Sequence, residues 1–296
     1  MIQLKTPISK VLADQLEEFF CEAGSDHWMI ESIPGGRDYH LYGFYQTTEE
    51  AQDGLQKLRI HFAEIPEAPD LSVLPDQNWQ EAYKEHFQPW NSANLHWVPV
   101  WMREEYVIPE GHKALYLDPG MAFGTGNHET TRLCIEALLK YTQELSPVEL
   151  TTKRIIDAGC GSGILSLSAA LLGYQHISAF DIDEDSIRIS QENAVLNNLE
   201  NEVQFSTASL ETAIPKHSSD IILANILAPI LIKNATILLE GLMPARGSIL
   251  VLSGILKKEA DAVASTFLDL AKKFSLNLDV LQQDDGIWSA LCCRLL

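Results

Sequence analysis

A glycine-rich turn between two apolar segments constrains this chain more than any other feature of its sequence. Ile155 and Ile156 are typical of the end of a buried strand. An apolar stretch typical of a helix begins at residue 164, and the residues between carry Gly159, Gly161 and Gly163. Because glycine has no side chain, a ligand there can approach the backbone and the helix N-terminus. The pattern predicts a strand, a tight turn and a helix, with a ligand bound at the turn.

Two carboxylates beside this turn indicate which ligand it binds. Asp181 ends the next apolar run, where a carboxylate at a strand end can accept hydrogen bonds from ribose hydroxyls. Asp157 directly precedes the turn, which is unfavourable beside a pyrophosphate but favourable beside a cation. S-adenosylmethionine carries a sulfonium and an ammonium group. The two carboxylates therefore favour S-adenosylmethionine over a dinucleotide.

Composition restricts the class of protein and its partners. The 296 residues include five cysteines without Cys-x-x-Cys spacing, which argues against a disulfide framework or a zinc site. We find no secretory signal, and the longest apolar run is too short to span a bilayer, so we expect a cytoplasmic protein with no membrane partner. The net charge of −20 disfavours a nucleic-acid substrate and favours a basic protein partner.

Residues 1–64 are predicted to form a small ferredoxin-like α+β domain. A strand, a helix, a hairpin and a second helix follow one another, with a last strand within residues 60–74. Thr47 and Glu50 resemble a capping box at the start of the second helix. Because this segment carries no catalytic motif, we predict that it recognises the substrate.

Residues 65–92 are predicted to be a linker, because prolines at 66, 69 and 75 disfavour regular structure. Within it, Trp79, Tyr83 and Phe87 recur at four-residue spacing, which is typical of one face of a short helix. Their rings could form a stacking platform for nucleic acid or pack the helix against the main domain. The acidic surroundings favour packing.

The segment 117–131 is rich in glycine and threonine and precedes an apolar helix. It lacks the Gly-Lys-Ser/Thr ending of a phosphate loop, so we predict a lid over the cofactor rather than a phosphate site. His128 lies in this segment and could accept a proton from a substrate. A loop histidine whose hydrogen bonds are satisfied within the protein is the favoured interpretation.

Asn225 follows an apolar strand that begins at residue 221. Ligands of a doubly wound sheet bind beyond the carboxyl ends of the strands, so its side chain is expected beside the cofactor. There the amide oxygen could accept from an amine. An asparagine that only caps the next helix is the alternative.

The end of the chain predicts a strand at 247–252, a helix at 257–274 and a closing hairpin formed by 276–281 and 287–295. A closing antiparallel hairpin fits a seven-stranded methyltransferase sheet better than a dehydrogenase. Together with a predicted strand pair at 95–102 and 114–117, these elements define a domain over residues 93–296.

Taken together, the motifs resemble the methyltransferases of the eleventh large-subunit ribosomal protein over nearly the whole chain. The matching segments are Phe123-Gly124-Thr125-Gly126 with Thr130-Thr131, the glycine turn, Asp181-Ile182-Asp183, Ala224-Asn225-Ile226-Leu227 and Leu252-Ser253-Gly254-Ile255-Leu256. The loop at 123–126 and the Ala-Asn-Ile-Leu segment discriminate this family better than the glycine turn, which Rossmann-like methyltransferases share.

The resemblance implies a Rossmann-like seven-stranded class I methyltransferase domain preceded by the ferredoxin-like domain. It also implies that the enzyme uses S-adenosylmethionine to methylate lysine side chains and the N-terminal amine of a basic large-subunit ribosomal protein. We expect the enzyme to be a monomer. The implied cofactor-binding residues are Thr131, Gly159, Gly161, Gly163, Asp181 and Asn225. Asn225 is also the implied catalytic residue, which orients the incoming nitrogen, and no metal is implied.

Three other functions remain open from the sequence. An NAD-dependent oxidoreductase would explain the glycines and Asp181, but not Asn225, the lid or the hairpin. A non-catalytic ribosome assembly factor would bind the cofactor without transferring its methyl group. A methyltransferase of nucleic-acid amines is disfavoured by the charge and by the absence of an Asn-Pro-Pro-aromatic motif.

Overall fold

The computed structural model describes residues 2–23, 27–32, 39–73, 88–118 and 128–296. Its chain divides into two compact units, Met1–Phe87 and Gln88–Leu296. The predicted helix carrying Trp79, Tyr83 and Phe87 lies outside the described residues, as do residues 119–127 of the predicted lid. Within the described ranges, no helix is both long and apolar enough to cross a membrane.

The described residues of the first unit form a four-stranded sheet and two helices. Its elements are β1 (Ile2–Ile8), α1 (Lys10–Ala23), β2 (Trp28–Ser32), β3 (Tyr39–Tyr45), α2 (Thr48–His61) and β4 (Asp70–Val73). The strand order is β2-β3-β1-β4, and each neighbouring pair is antiparallel. This order confirms the predicted ferredoxin-like fold. Because β4 begins at Asp70, the unit extends beyond residue 64, where the sequence suggested that the first domain ends.

Local sequence explains how the helices of this unit form and pack. Thr47 caps α2: its hydroxyl accepts from the amide of Glu50, and the Glu50 carboxylate accepts from the amide of Thr47, which confirms the predicted capping box. Apolar side chains from both helices and two strands then form a single core. Its fully or nearly fully buried members include Leu4, Leu12, Leu16, Leu41, Leu55 and Leu58.

The second unit begins with a small sheet and continues into a large one. The small sheet contains β5 (Trp90–Ser92), β6 (Leu95–Pro99) and β7 (Lys113–Leu117), in that order, and a 3-10 helix, Val100–Met102, follows β6. Strands β6 and β7 correspond to the predicted strand pair.

The helices of the large part are α3 (Glu129–Gln143), α4 (Pro147–Thr152), α5 (Ile164–Leu172), α6 (Glu184–Leu196), α7 (Leu210–Ala213), α8 (Ala228–Lys233), α9 (Ala235–Gly241) and α10 (Lys257–Lys273). The strands are β8 (Arg154–Ala158), β9 (His176–Asp181), β10 (Val203–Thr207), β11 (Ile221–Asn225), β12 (Ile249–Leu256), β13 (Leu278–Asp285) and β14 (Trp288–Leu295).

These seven strands form one sheet in the order β10-β9-β8-β11-β12-β14-β13. The first five are parallel, and β14 is antiparallel to both β12 and β13. The order confirms the predicted seven-stranded Rossmann-like sheet with its closing hairpin.

Helices cover both faces of the sheet, which explains why its central strands are mostly apolar. Alternate residues of one strand belong to different cores: Ile155 packs in one cluster and Ile156 in the other. The small sheet is attached through Trp97, whose indole Nε1 donates to Ser168 Oγ on α5 at 2.9 Å. Both faces are therefore closed, and the carboxyl ends of the parallel strands are left for ligands.

Candidate active site

The carboxyl ends of four neighbouring strands bring the polar residues of the sequence motifs to one edge of the sheet. The strands follow one another as β9, β8, β11 and β12. Asp181 ends β9, the glycine turn follows β8, and Asn225 ends β11. Ser253 of β12 pairs in register with Asn225. Residues separated by up to 94 positions in sequence thus meet at this edge.

The glycine turn requires its glycines for conformation and for space. Gly159, Gly161 and Gly163 have φ angles of 75°, 53° and 80°, in the left-handed region where other residues are strained. A Cβ atom at Gly159 would lie 2.7 Å from the Cγ2 atom of Ile226. The turn is fixed to β9 because the amides of Gly159 and Cys160 both donate to the carbonyl of Phe180.

The carboxylate of Asp181 is held by backbone amides on both sides. Its Oδ2 accepts from the amide of Gly161 at 3.0 Å, and its Oδ1 accepts from the amide of Asp183 at 3.1 Å. Each oxygen retains a lone pair for a further donor. The carboxylate is therefore oriented beside the turn before any ligand binds.

Asn225 is joined to the first turn of α3. Its Nδ2 donates to Thr131 Oγ1 at 3.2 Å, and Thr131 is fully buried. The other amide atom, Oδ1, is buried and has no hydrogen-bond partner among the described residues. A buried acceptor without a donor costs free energy unless a ligand or water supplies one. The amide group is thus fixed at its nitrogen and available at its oxygen.

His128 caps α3 and supports the residues next to it. Its Nδ1 accepts from the amide of Thr130, and its ring lies edge-on to Trp288 with the ring centroids 4.9 Å apart. Burial lowers the pKa of this imidazole. Since Nδ1 is occupied as an acceptor, the structure favours the interpretation of His128 as a satisfied structural histidine.

Comparison with known proteins identifies the family of this chain. The family model for ribosomal protein L11 methyltransferase matches residues 14–294. The chain belongs to this family. An L11 methyltransferase from Geotalea uraniireducens is 38% identical over 77% of this chain and 70% of the relative. One from Photorhabdus laumondii is 32% identical over 90% of this chain and 91% of the relative.

A solved structure supports the same assignment. The crystal structure of a ribosomal protein L11 methylase from Lactobacillus delbrueckii subsp. bulgaricus is similar to this chain with a TM-score of 0.56 and 29% sequence identity. The similarity covers 71% of this chain and 99% of that one. The protein is therefore a methyltransferase of the L11 methyltransferase family.

In this methyltransferase, the six site residues suggested by the sequence lie on adjoining elements. The three glycines and Asp181 are connected through the amide of Gly161, and Thr131 and Asn225 are connected through their side chains. The contact of Gly159 with Ile226 joins the two groups. Sequence reasoning assigned no role to Ser253 and Gly254, although a glycine inside a strand often marks a bulge or a close approach.

Asp157 is a buried carboxyl group two residues before the first glycine of the turn. It is fully buried, and its Oδ2 accepts from the amide of Ser166 at 3.0 Å. Its Oδ1 has no partner among the residues described. Desolvation raises the pKa of Asp157 to about 7, although the hydrogen bond from Ser166 opposes this shift. A cation bound beside Asp157 would favour the ionised carboxylate.

This pKa shift predicts a pH-dependent contribution to stability. Between about pH 4 and pH 7 the folded protein retains a proton on Asp157 that the unfolded chain has lost. The free energy of unfolding from this group should therefore fall by about 1.4 kcal/mol per pH unit as pH rises through this interval. The Asp157→Asn variant lacks this titration. Its free energy of unfolding, measured in urea, should therefore rise with pH relative to that of the wild type. A difference that stays constant between pH 4.5 and 7 would contradict the assignment.

Cys160 contributes its backbone to the turn while its side chain is buried behind it. Its Sγ lies 3.7 Å from Ser190 Oγ, and that hydroxyl donates to the carbonyl of Gly161 at 2.7 Å. Burial raises the pKa of the Cys160 thiol. Among the side chains that the structure describes, no three metal-binding groups lie close enough together to hold a metal ion.

Proposed function

We propose that this protein transfers methyl groups from S-adenosylmethionine to lysine side-chain amines and the N-terminal amine of ribosomal protein L11. Membership of the L11 methyltransferase family supports the reaction and the substrate. The amine specificity rests on one observation at Asn225: its Nδ2 is fixed by Thr131, and its buried Oδ1 has no hydrogen-bond partner among the described residues. An amine that has an N–H group to donate fits that oxygen.

The residues at the edge of the sheet fit S-adenosylmethionine. Asp181 has lone pairs available for the ribose hydroxyls, and the glycine turn lets the methionine portion lie against the backbone. A cationic ligand beside the turn would favour the ionised form of the buried Asp157 carboxyl group, whose pKa is otherwise raised to about 7. We assign Thr131, Gly159, Gly161, Gly163, Asp181 and Asn225 as the cofactor-binding residues. The bound cofactor supplies an electrophilic methyl group on a sulfonium.

The role that we propose for Asn225 is to orient the attacking nitrogen. Its Oδ1 accepts a hydrogen bond from the amine, and the anchored Nδ2 prevents the amide group from turning away. Correct placement of two reactants can contribute about 7–11 kcal/mol of the activation barrier. Orientation is thus the main contribution of this side chain.

The amine must reach the site without its proton, because only the neutral nitrogen has a lone pair. Burial of a lysine side chain lowers its pKa, which favours the neutral form. His128 is not suited to take this proton through Nδ1, since that atom accepts from the amide of Thr130. We therefore propose that desolvation, and not a dedicated base, produces the reactive amine.

The first unit is proposed to recognise the substrate. It has a separate core, and the sequence of residues 1–64 carries no catalytic motif. The net charge of −20 favours a basic protein over a nucleic acid. Ribosomal protein L11 in the cytoplasm, before or after its assembly into the ribosome, is the partner that we propose.

Mass spectrometry of ribosomal proteins incubated with the enzyme and isotope-labelled S-adenosylmethionine tests this function. We expect label on L11, at lysine ε-amines and at the α-amine. Acetylation of the L11 amines before incubation is the matched control and should abolish labelling. A second arm measures thermal stabilisation of the enzyme by S-adenosylmethionine and by NAD.

The other outcomes separate the alternatives. Stabilisation by S-adenosylmethionine without label on any protein would support the assembly factor. Stabilisation by NAD alone would support the oxidoreductase. Label on RNA but not on L11 would overturn the proposed substrate, and label on L11 carboxylates or amides would overturn the amine specificity.

A further inference from the structure

We propose that a bulge in β12, formed by Ser253 and Gly254, is a positioning element for methyl transfer. Ser253 fixes the first turn of α3, and Gly254 fixes the chain that follows Asn225. The inference rests on the proposed function, because the two segments that it holds carry Thr131 and Asn225. Neither residue of the bulge is proposed to touch the substrate.

The irregular pairing of β12 with β14 defines the bulge. Leu252 pairs with Leu291 and Ile255 pairs with Ser289, so β12 has one more residue than β14 in this interval. On its other side, β12 keeps a regular parallel register with β11 up to the pair of Ser253 and Asn225. The extra residue therefore lies at the level of the site, where bulges commonly redirect the chain.

Ser253 connects this bulge to the helix that carries Thr131. Its side chain is fully buried, and its Oγ donates to the carbonyl of Thr130 at 2.9 Å. The next residue, Thr131, accepts from Asn225 Nδ2. Ser253 and Asn225 are themselves neighbours in the sheet, so the three contacts form a closed connection between β11, β12 and α3.

Gly254 permits the chain after Asn225 to pass directly against the bulge. Its φ angle is 79°, and a Cβ atom would lie 2.7 Å from the carbonyl oxygen of Ile226 and 2.9 Å from its carbonyl carbon. These are backbone atoms, which cannot move away as the end of a flexible side chain can. Ile226 also fills the space above Gly159. A side chain at position 254 would therefore displace Ile226, which lies between the side-chain amide of Asn225 and the glycine turn.

The two residues that directly precede β12 offer a matched control for each residue of the bulge. Ser248 is fully buried next to the other end of β12, and its hydroxyl has no partner among the described residues. Gly247 also has a positive φ angle, 88°, but a Cβ atom there would meet nothing closer than 4.0 Å. Comparison of the two serine variants separates the loss of a buried hydroxyl from a change in the position of α3. Comparison of the two glycine variants separates the strain of a positive φ from a displacement of Ile226.

The first test compares Ser253→Ala with Ser248→Ala. Calorimetry with S-adenosylhomocysteine should show roughly tenfold weaker binding for Ser253→Ala, because one hydrogen bond that orders α3 is lost, and less than about twofold change for Ser248→Ala. Hydrogen exchange of the ligand-free protein should be faster at residues 129–133 in Ser253→Ala alone. Equal affinities and equal exchange in the two variants would overturn the proposal for Ser253.

The second test compares Gly254→Ala with Gly247→Ala. Both variants should lose stability because of the positive φ, but only Gly254→Ala should lower the single-turnover rate of L11 methylation, by about 100-fold. Its affinity for S-adenosylhomocysteine should stay within about threefold of that of Gly247→Ala, since the ribose contacts are not displaced. Equal rates would overturn the proposal for Gly254.

The design separates failure of this inference from failure of the proposed function. If the wild type binds S-adenosylhomocysteine but methylates no amine, the proposed function fails, while the binding and exchange comparison still decides the role of Ser253. If Gly254→Ala does not fold, the serine pair decides alone. Normal binding and exchange in Ser253→Ala would then reject the positioning element.

Discussion

Replacement of Asn225 by alanine is expected to lower the rate of methyl transfer about 100-fold, because the amine loses the acceptor that orients it. Affinity for S-adenosylmethionine should fall much less, by about threefold, since Asp181 and the glycine turn are unchanged. Single-turnover methylation of L11 and calorimetric titration of the cofactor measure the two quantities. The effect would therefore appear in the chemical step and not in cofactor binding.

Asn234→Ala is the matched control for this prediction. Asn234 is a buried asparagine, and its Nδ2 donates to the carbonyl of Ile230 at 2.9 Å. Its loss should lower stability by about 1 kcal/mol without changing the rate of methyl transfer. Full turnover in Asn225→Ala would refute the amine site that we propose.

Asp181→Ala is expected to show the opposite pattern. Loss of two charged hydrogen bonds to the ribose hydroxyls should weaken cofactor binding about 100-fold. The turn would also lose the contact from the amide of Gly161. At saturating cofactor the rate of transfer should fall by less than about tenfold, because Asn225 still orients the amine. Titration calorimetry and turnover at several cofactor concentrations distinguish these effects.

Asp183→Ala provides the comparison for Asp181. Both oxygens of Asp183 are used to cap α6, where they accept from the amides of Asp185 and Ser186. Its replacement should cost about 1 kcal/mol of stability and leave cofactor affinity nearly unchanged. If both aspartate variants bind the cofactor equally well, Asp181 does not hold the ribose.

Much of this architecture follows from short-range sequence patterns. Alternating glycines, a carboxylate at the end of the next strand and an asparagine two strands further along predict a site at the carboxyl edge of a parallel sheet. The structure brings these residues together there because parallel strands place all their carboxyl ends on one side. The capping box at Thr47 can be predicted in the same way, since Thr47 and Glu50 lie within one helical turn of each other.

Contacts between distant segments could not be predicted in the same way. The hydrogen bond from Ser253 to Thr130 joins residues 123 positions apart, and no local pattern specifies it. The complete burial of Asp157, which raises its pKa to about 7, depends on tertiary packing, including that of α5, whose Ser166 amide donates to this carboxyl group. The extent of the first unit also depends on a contact between distant segments, the pairing of β4 with β1 in which Val73 lies opposite Ile2.

The buried thiol behind the glycine turn has a consequence for the enzyme under oxidative stress. Peroxide attacks the thiolate form of cysteine, and the raised pKa of Cys160 leaves almost none of that form at neutral pH. Burial likewise raises the pKa of the Cys134 and Cys293 thiols. Cys160 can therefore lie in the glycine turn without making that turn sensitive to oxidation, and the turn that we propose to bind S-adenosylmethionine should remain intact while more exposed thiols are oxidised.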